Sequence, residues 1–202
     1  MSWDDDTPDA ALLQAWRDGD KTAADPLIAR YGPRLYNFFA SKVTGGVDEL
    51  CRQTLHDCET ARDAIEPDGA GGSVRGLVFT TARRHLLEHL GHRSGRPLDP
   101  AEHSVADLDP GASEMVAAKE QQRQLLLALR QLPLDAQVAL ELQFWEGLTL
   151  AELATVMQTS ESSVPDRLAR AQRMLREHIA KERELTEHTV DALLTEDERR
   201  RR

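Results

Sequence analysis

At 202 residues, 40% of them hydrophobic, the chain is long enough for one large or two small domains, each with a core of its own. A formal net charge of -10 excludes a uniformly basic coat for nucleic acid, because non-specific affinity comes from neutralised phosphates; any such contact must come from local basic faces. No apolar run approaches the ~20 residues of a membrane-spanning helix, and the acidic start MSWDDDTPD is not a signal sequence, so no membrane insertion and a cytoplasmic location are expected.

Little β-branched alternation and many Ala, Leu, Glu and Arg predict an all-α fold of two small helical domains. Asp9 to Asp18 reads as a short amphipathic helix with Leu12, Leu13 and Trp16 inward and Gly19 as its stop. Leu27 to Val43 aligns Leu27, Tyr31, Leu35, Phe38 and Phe39 on one stripe, the strongest core signal of the first half. A third helix carries Val47, Leu50, Cys51, Thr54, Cys58, Ala61 and Ile65 at three and four spacing and leaves Asp48, Glu49, Arg52, Gln53 and Glu59 solvated. Cys51 and Cys58 lie too far apart on it for a disulfide, and His56 points away from them, so buried thiols are expected rather than a zinc site.

Glu66 to Gly72, EPDGAGG, reads as a flexible loop. The helix after it places Val74, Leu77, Val78, Thr81, Ala82, His85 and Leu86 inside and Arg75, Arg83 and Arg84 outside. His85, His89 and His92 share its helical spacing, yet His85 belongs to the packed face, so no metal is assigned. The first domain is expected to close near Arg93. From Ser94 to Ala112 the chain is rich in Pro, Gly and Asp and shows no helical period, which predicts an extended acidic linker. A second domain is expected from Ser113: a helix with Leu125, Leu126 and Leu129, a break at Pro133, and a helix with Val138, Leu142 and Trp145 inward. The tail from Arg183 ends in the arginines Arg199 to Arg202 and reads as a frayed or loosely docked helix.

Leu148 to Arg176 is the most informative stretch. Thr149 followed by Glu152 is a capping box, so a helix starts there, runs through Leu153, Ala154 and Met157, and stops at Gln158, Thr159 and Ser160. A second helix follows with Val164, Leu168, Ala171, Leu175 and Ile179 on its apolar side, making a helix-turn-helix. Ser162, Asp166, Ala169, Arg170 and Arg173 then face outward, toward a major groove or, on the plainer reading, toward solvent. Pro165 is tolerated only in a first turn, so this helix is expected to start late, capped by Ser162 or Ser163.

Four motifs in order, GDKTAADPLIARYGPRLYNFF, VDELCRQTL, VRGLVFTTARRHLLEHL and LPLDAQVALELQFWEGLTLAELATVMQTSESSVPDRLARAQRMLR, make the chain resemble an extracytoplasmic-function sigma factor of bacterial RNA polymerase from about Asp9 to Ile179. The resemblance implies a region-two-like domain over 1–93 for core RNA polymerase and the minus-ten element, an acidic linker over 94–112, a region-four-like domain over 113–182 for the minus-thirty-five element, and a charged tail. It implies promoter DNA, core polymerase and an anti-sigma factor or other regulator as partners, and no cofactor. Asp48, Glu49 and Gln53 would meet the polymerase; Arg75, Arg83 and Arg84 would hold the opened strand. Ser162, Ser163, Asp166, Arg167, Arg170 and Arg173 would meet duplex DNA. The linker carboxylates Asp99, Glu102, Asp107 and Asp109 would mimic nucleic acid.

This sequence departs from the family pattern in several places. Only two acids stand at the polymerase-facing start of the third helix, Leu77 replaces a usual tryptophan, and Pro165 and Asp166 stand where a lysine and a small hydroxyl residue are common. Phosphorylation of Thr54, beside Gln53, would add about -1.5 to -2 charge where the family has acid. A sigma-like protein that binds polymerase or a regulator without opening promoters is the alternative. No nucleophile motif or phosphate-binding glycine loop supports an enzyme.

Overall fold

The computed structural model describes residues 3–4, 6–64, 73–95, 98–109 and 120–181. The expected loop at Glu66 to Gly72, the domain start at Ser113 and the tail from Arg183 lie outside them.

The first half is built from α1 (Asp9–Arg17), α2 (Ala24–Ala40), α3 (Val47–Ala61) and α4 (Val74–Ser94). Gly19, at φ 100°, takes the left-handed turn that ends α1, a conformation glycine reaches without a Cβ clash. The predicted stripe of α2 is buried from Leu27 to Phe39, and Phe38 meets Phe79 of α4 edge-on at 5.8 Å between ring centroids. Ser73 caps α4 by accepting from the Gly76 amide at 2.9 Å, and Gly95 at φ 62° closes it.

The linker is where expectation and structure differ most. Instead of an extended strap, residues 98–109 turn back and dock. Ser104 and Asp107 form a capping box around a single helical turn, α5 (Val105–Leu108), whose Val105 and Leu108 are buried in the common core. The Leu134 amide donates to the His103 carbonyl and the Asp135 amide to that of Pro100, both at 2.9 Å, so this segment satisfies first-turn amides that the helix starting at Leu134 leaves free. Asp109 is 2% exposed and accepts from the Thr44 amide at 2.9 Å and from its hydroxyl. With Asp99 bonded to the Ala101 amide and Asp107 in the cap, three of the four carboxylates proposed as nucleic-acid mimics are engaged internally; Glu102 is exposed.

The second half comprises α6 (Glu120–Arg130), α7 (Leu134–Phe144), α8 (Leu150–Val156) and α9, over residues 164–181. Leu129, Leu132, Val138, Leu142, Leu153, Val164, Leu168 and Ala171 form its interior. Trp145, expected inside, is 56% exposed because α7 ends at Phe144 and the chain turns away through Gly147. The two halves are docked rather than held apart: α4 packs on α8, and one continuous core runs through both. No helix of the described residues is long and apolar enough to cross a membrane.

Candidate nucleic-acid interface

The helix-turn-helix forms as its sequence dictates. The Thr149 hydroxyl accepts from the Glu152 amide at 3.2 Å, and the Glu152 carboxylate accepts the Thr149 amide at 2.7 Å, which fixes the start of α8. Gln158 takes φ 52° in the turn, where the Ser163 hydroxyl donates to the Ser160 carbonyl at 2.8 Å. Neither Ser162 nor Ser163 caps α9 through an amide as expected; Ser160 precedes a short 3-10 turn at Glu161–Ser163 without a side-chain cap. Pro165 falls in the first turn of α9, where its missing N–H costs nothing.

With Val164, Leu168 and Ala171 buried, the outer face of α9 carries exposed Ser162, Asp166, Arg170 and Arg173; exposed Arg167 flanks the apolar side, and Ser163 is half-buried. None of these three arginines is paired with a carboxylate among the described residues. Three exposed guanidinium groups along α9 form the local basic patch that the overall charge requires of a DNA contact.

The arginines of α4 fare differently. Arg75 reaches across to the second half and holds Glu152 with contacts of 2.9, 3.1 and 3.3 Å, and donates to the Glu146 carbonyl. Ser73 bonds the same carboxylate. Burial would push the Glu152 carboxyl up, but its bonds to Ser73, to the Thr149 amide and to Arg75 together hold it below the usual value. Arg83, predicted to face outward, is buried and ion-paired to Asp135 at 2.7 Å. That prediction is corrected: the helix period marked it as outside the first core, but its outer side is covered by α7. Arg84 is exposed and bonds Asp57 at 2.6 Å, and Asp57 also meets His85 at 3.0 Å. The Arg84 bond, first, and the His85 contact hold the Asp57 carboxyl low.

On α3, Asp48 and Glu49 are exposed and Gln53 is half-buried; Arg52 and Gln53 both donate to Glu49, so the small acidic patch is partly neutralised from its own helix. Thr54 is wholly buried and its hydroxyl donates to the Leu50 carbonyl at 2.7 Å. Phosphorylation there is withdrawn, since a kinase cannot reach it in this fold. Cys51 and Cys58 are free thiols, Cys58 buried as expected and Cys51 half-buried, and burial pushes the pKa of each up to about 11. No metal-binding cluster occurs among the described residues.

Periodicity gave no sign of the joint between the halves. Lys42 is fully buried; its ammonium donates to the Phe38 carbonyl at 2.8 Å, pairs with Glu141 of α7, and lies 4.0 Å from the Phe38 ring centroid. Burial lowers its pKa, against the opposing pull of Glu141. Arg130 of α6 donates to the Asp109 carbonyl at 2.7 Å. A lysine isolated between apolar runs, FFASKV, was the one available signal.

A family model described as Sigma-70, region 4 matches residues 122–175, the span that holds α7, α8 and the arginine face of α9. The chain is 28% identical over 189 residues to the RNA polymerase sigma-H factor of Pseudomonas aeruginosa, covering 81% of this chain and 89% of that one. It is 28% identical to the ECF RNA polymerase sigma factor SigK of Mycobacterium bovis (70% and 81% covered) and 27% identical to the RNA polymerase sigma factor CarQ of Myxococcus xanthus (82% and 94%). Along most of its length the chain is thus similar to extracytoplasmic-function sigma factors, and its helix-turn-helix half to their region 4. The fold is similar to that of CnrH in its complex with the cytosolic domain of CnrY, at a TM-score of 0.63 and 19% identity over 86% of this chain and 97% of that one.

Proposed function

We propose that this alternative sigma factor binds core RNA polymerase and directs initiation by dividing the task between its halves. Residues 1–93 attach to the polymerase through Asp48, Glu49 and Gln53 and hold the opened minus-ten strand on Arg75, Arg83 and Arg84. Residues 113–182 read the minus-thirty-five element as duplex. Its place of action is then the cytoplasm, with promoter DNA and core polymerase as partners and no catalysis of its own. A regulator of the anti-sigma kind is a further partner, a reading supported by the complex in which the similar fold of CnrH is seen.

The observation that carries the reading is the open face of α9. Arg167, Arg170 and Arg173 stand exposed, with no carboxylate partner among the described residues, inside the segment matched by region 4. Apolar positions hold that face outward, and the capping box fixes the helix before it.

Transcription reconstituted from core polymerase, a promoter library and this protein tests the proposal. Start sites that depend on the protein, and are lost with Arg170→Ala and Arg173→Ala together, are expected; a library without one dependent start site would overturn it. The second reading, a sigma-like protein that binds polymerase or a regulator without opening promoters, is favoured by one observation: every strand-binding arginine is ion-paired within the protein. Stable binding of a regulator with no core binding would select it.

A further inference from the structure

Asp166 stands at the centre of the outward face of α9, with Ser162 four residues before it and Arg170 four residues after, all three exposed. Its carboxylate is held by no structural partner. It makes no ion pair or hydrogen bond with a side chain among the described residues, Arg170 included, and the short turn that leads into α9 has no side-chain cap. The helix dipole favours an acid in this first turn, yet it would favour one equally on a flank turned away from DNA.

Phosphate oxygens accept and never donate, so a carboxylate on the face that meets duplex DNA is stabilised only by amino groups on the base edges. The major groove offers two, adenine N6 and cytosine N4. Adenine sets its N7 acceptor beside the amino group, and guanine and thymine present O6, N7 and O4, all of which repel a carboxylate; the edge of cytosine presents its amino group alone. On one side of Asp166 the exposed Pro165 and Ala169 carry no polar side-chain atom, so no second donor competes for the carboxylate there.

We propose that Asp166 is a specificity-determining residue: it accepts a hydrogen bond from the N4 amino group of one cytosine in the minus-thirty-five element, and so fixes cytosine at that position of the duplex this protein reads. The inference rests on the reading of the second half as a duplex reader. Arg170 and Arg173, exposed on the same face, supply the attraction to phosphate that the acid lacks.

The test uses core polymerase carrying the full chain, and selection from duplexes of random sequence. The parent is expected to enrich an element with cytosine at one fixed position. Asp166→Ala levels the preference at that position and leaves its neighbours as they were; Asp166→Asn turns it to adenine, whose N6 and N7 an amide meets together. In a titration on the selected element, exchange of that cytosine for guanine weakens parental binding by about tenfold and that of Asp166→Ala hardly at all. Pyrimidin-2-one in place of the cytosine still pairs with guanine but lacks the amino group. It gives the same contrast between parent and variant, and so isolates the single hydrogen bond.

Asp166 is exposed, so both variants leave the core intact. An equal gain in affinity of Asp166→Ala on every sequence, with no change of base preference, would show a carboxylate that only repels phosphate, and would overturn the proposal. A loss with pyrimidin-2-one that persists undiminished in Asp166→Ala would overturn it too. Failure of the sigma-factor reading looks different: the parent then enriches no sequence with core polymerase, and the cytosine contact falls with it.

Discussion

Arginine is presented twice by this chain, on α4 and on α9, and the two helices treat it in opposite ways. On α4, Arg75 and Arg83 are held by Glu152 and Asp135 of the other half and Arg84 by Asp57 of α3. On α9, Arg167, Arg170 and Arg173 stand in solvent with no carboxylate partner among the described residues. Both patterns come from one sequence with a strong acidic excess, so placement of the acids, and not their number, decides which basic face is available.

The largest expected effect lies at the joint that creates the difference. Glu141→Ala strands Lys42, fully buried, and should cost about 3–5 kcal/mol, read as a lower denaturation midpoint. Replacing both partners together, Lys42→Met with Glu141→Leu, should instead be near neutral or stabilising; an equal loss in both cases would mean that packing, and not an uncompensated charge, governs the joint.

On the open face, Arg170→Ala and Arg173→Ala should each weaken duplex binding. A loss of about 1–3 kcal/mol confined to one base pair identifies readout of that base; an even loss on all sequences, with the salt slope reduced by about one, identifies a phosphate contact. Pro165→Lys, at the exposed start of α9, should strengthen duplex binding modestly and steepen its salt dependence. Unchanged affinity in a salt titration would place residue 165 away from the groove.

The smallest effect concerns acid. Because the Glu152 carboxyl is held below its ordinary value of 4.5, its bonds contribute stability that is complete above that value and disappears as pH falls through the lowered one. The difference in melting temperature between the parent and Glu152→Gln should therefore be greatest near neutrality and shrink as the pH falls below the ordinary carboxyl value of 4.5. A difference independent of pH would assign the effect of the substitution to packing.

How far the sequence alone reached can be followed residue by residue. The capping box at Thr149 and Glu152, the first-turn position of Pro165 and the stripes of α2 and α9 were all legible, because each is set by neighbours three or four residues away. The double duty of Glu152 was not: its second partner, Arg75, lies 77 residues back, and no local period encodes such a contact. Arg83 was misplaced for the same reason, since periodicity gives the outside of a helix without saying what covers it. The docking of the linker had a readable signal in Ser104 and Asp107, a capping pair whose carboxylate was taken as part of an acidic strap. Thr54 was placed correctly on the inner stripe, and its burial is what closes it to modification.

The contrast between the two arginine faces is tested most directly by how fast each reacts in the free, full-length protein. An arginine-selective dicarbonyl reagent, followed site by site with peptide mass spectrometry, should modify Arg167, Arg170 and Arg173 first, the exposed but paired Arg84 more slowly, and Arg75 and Arg83 last. Modification of Arg75 and Arg83 at the rate of the α9 arginines would show that the halves do not hold them, and would contradict the account at its centre.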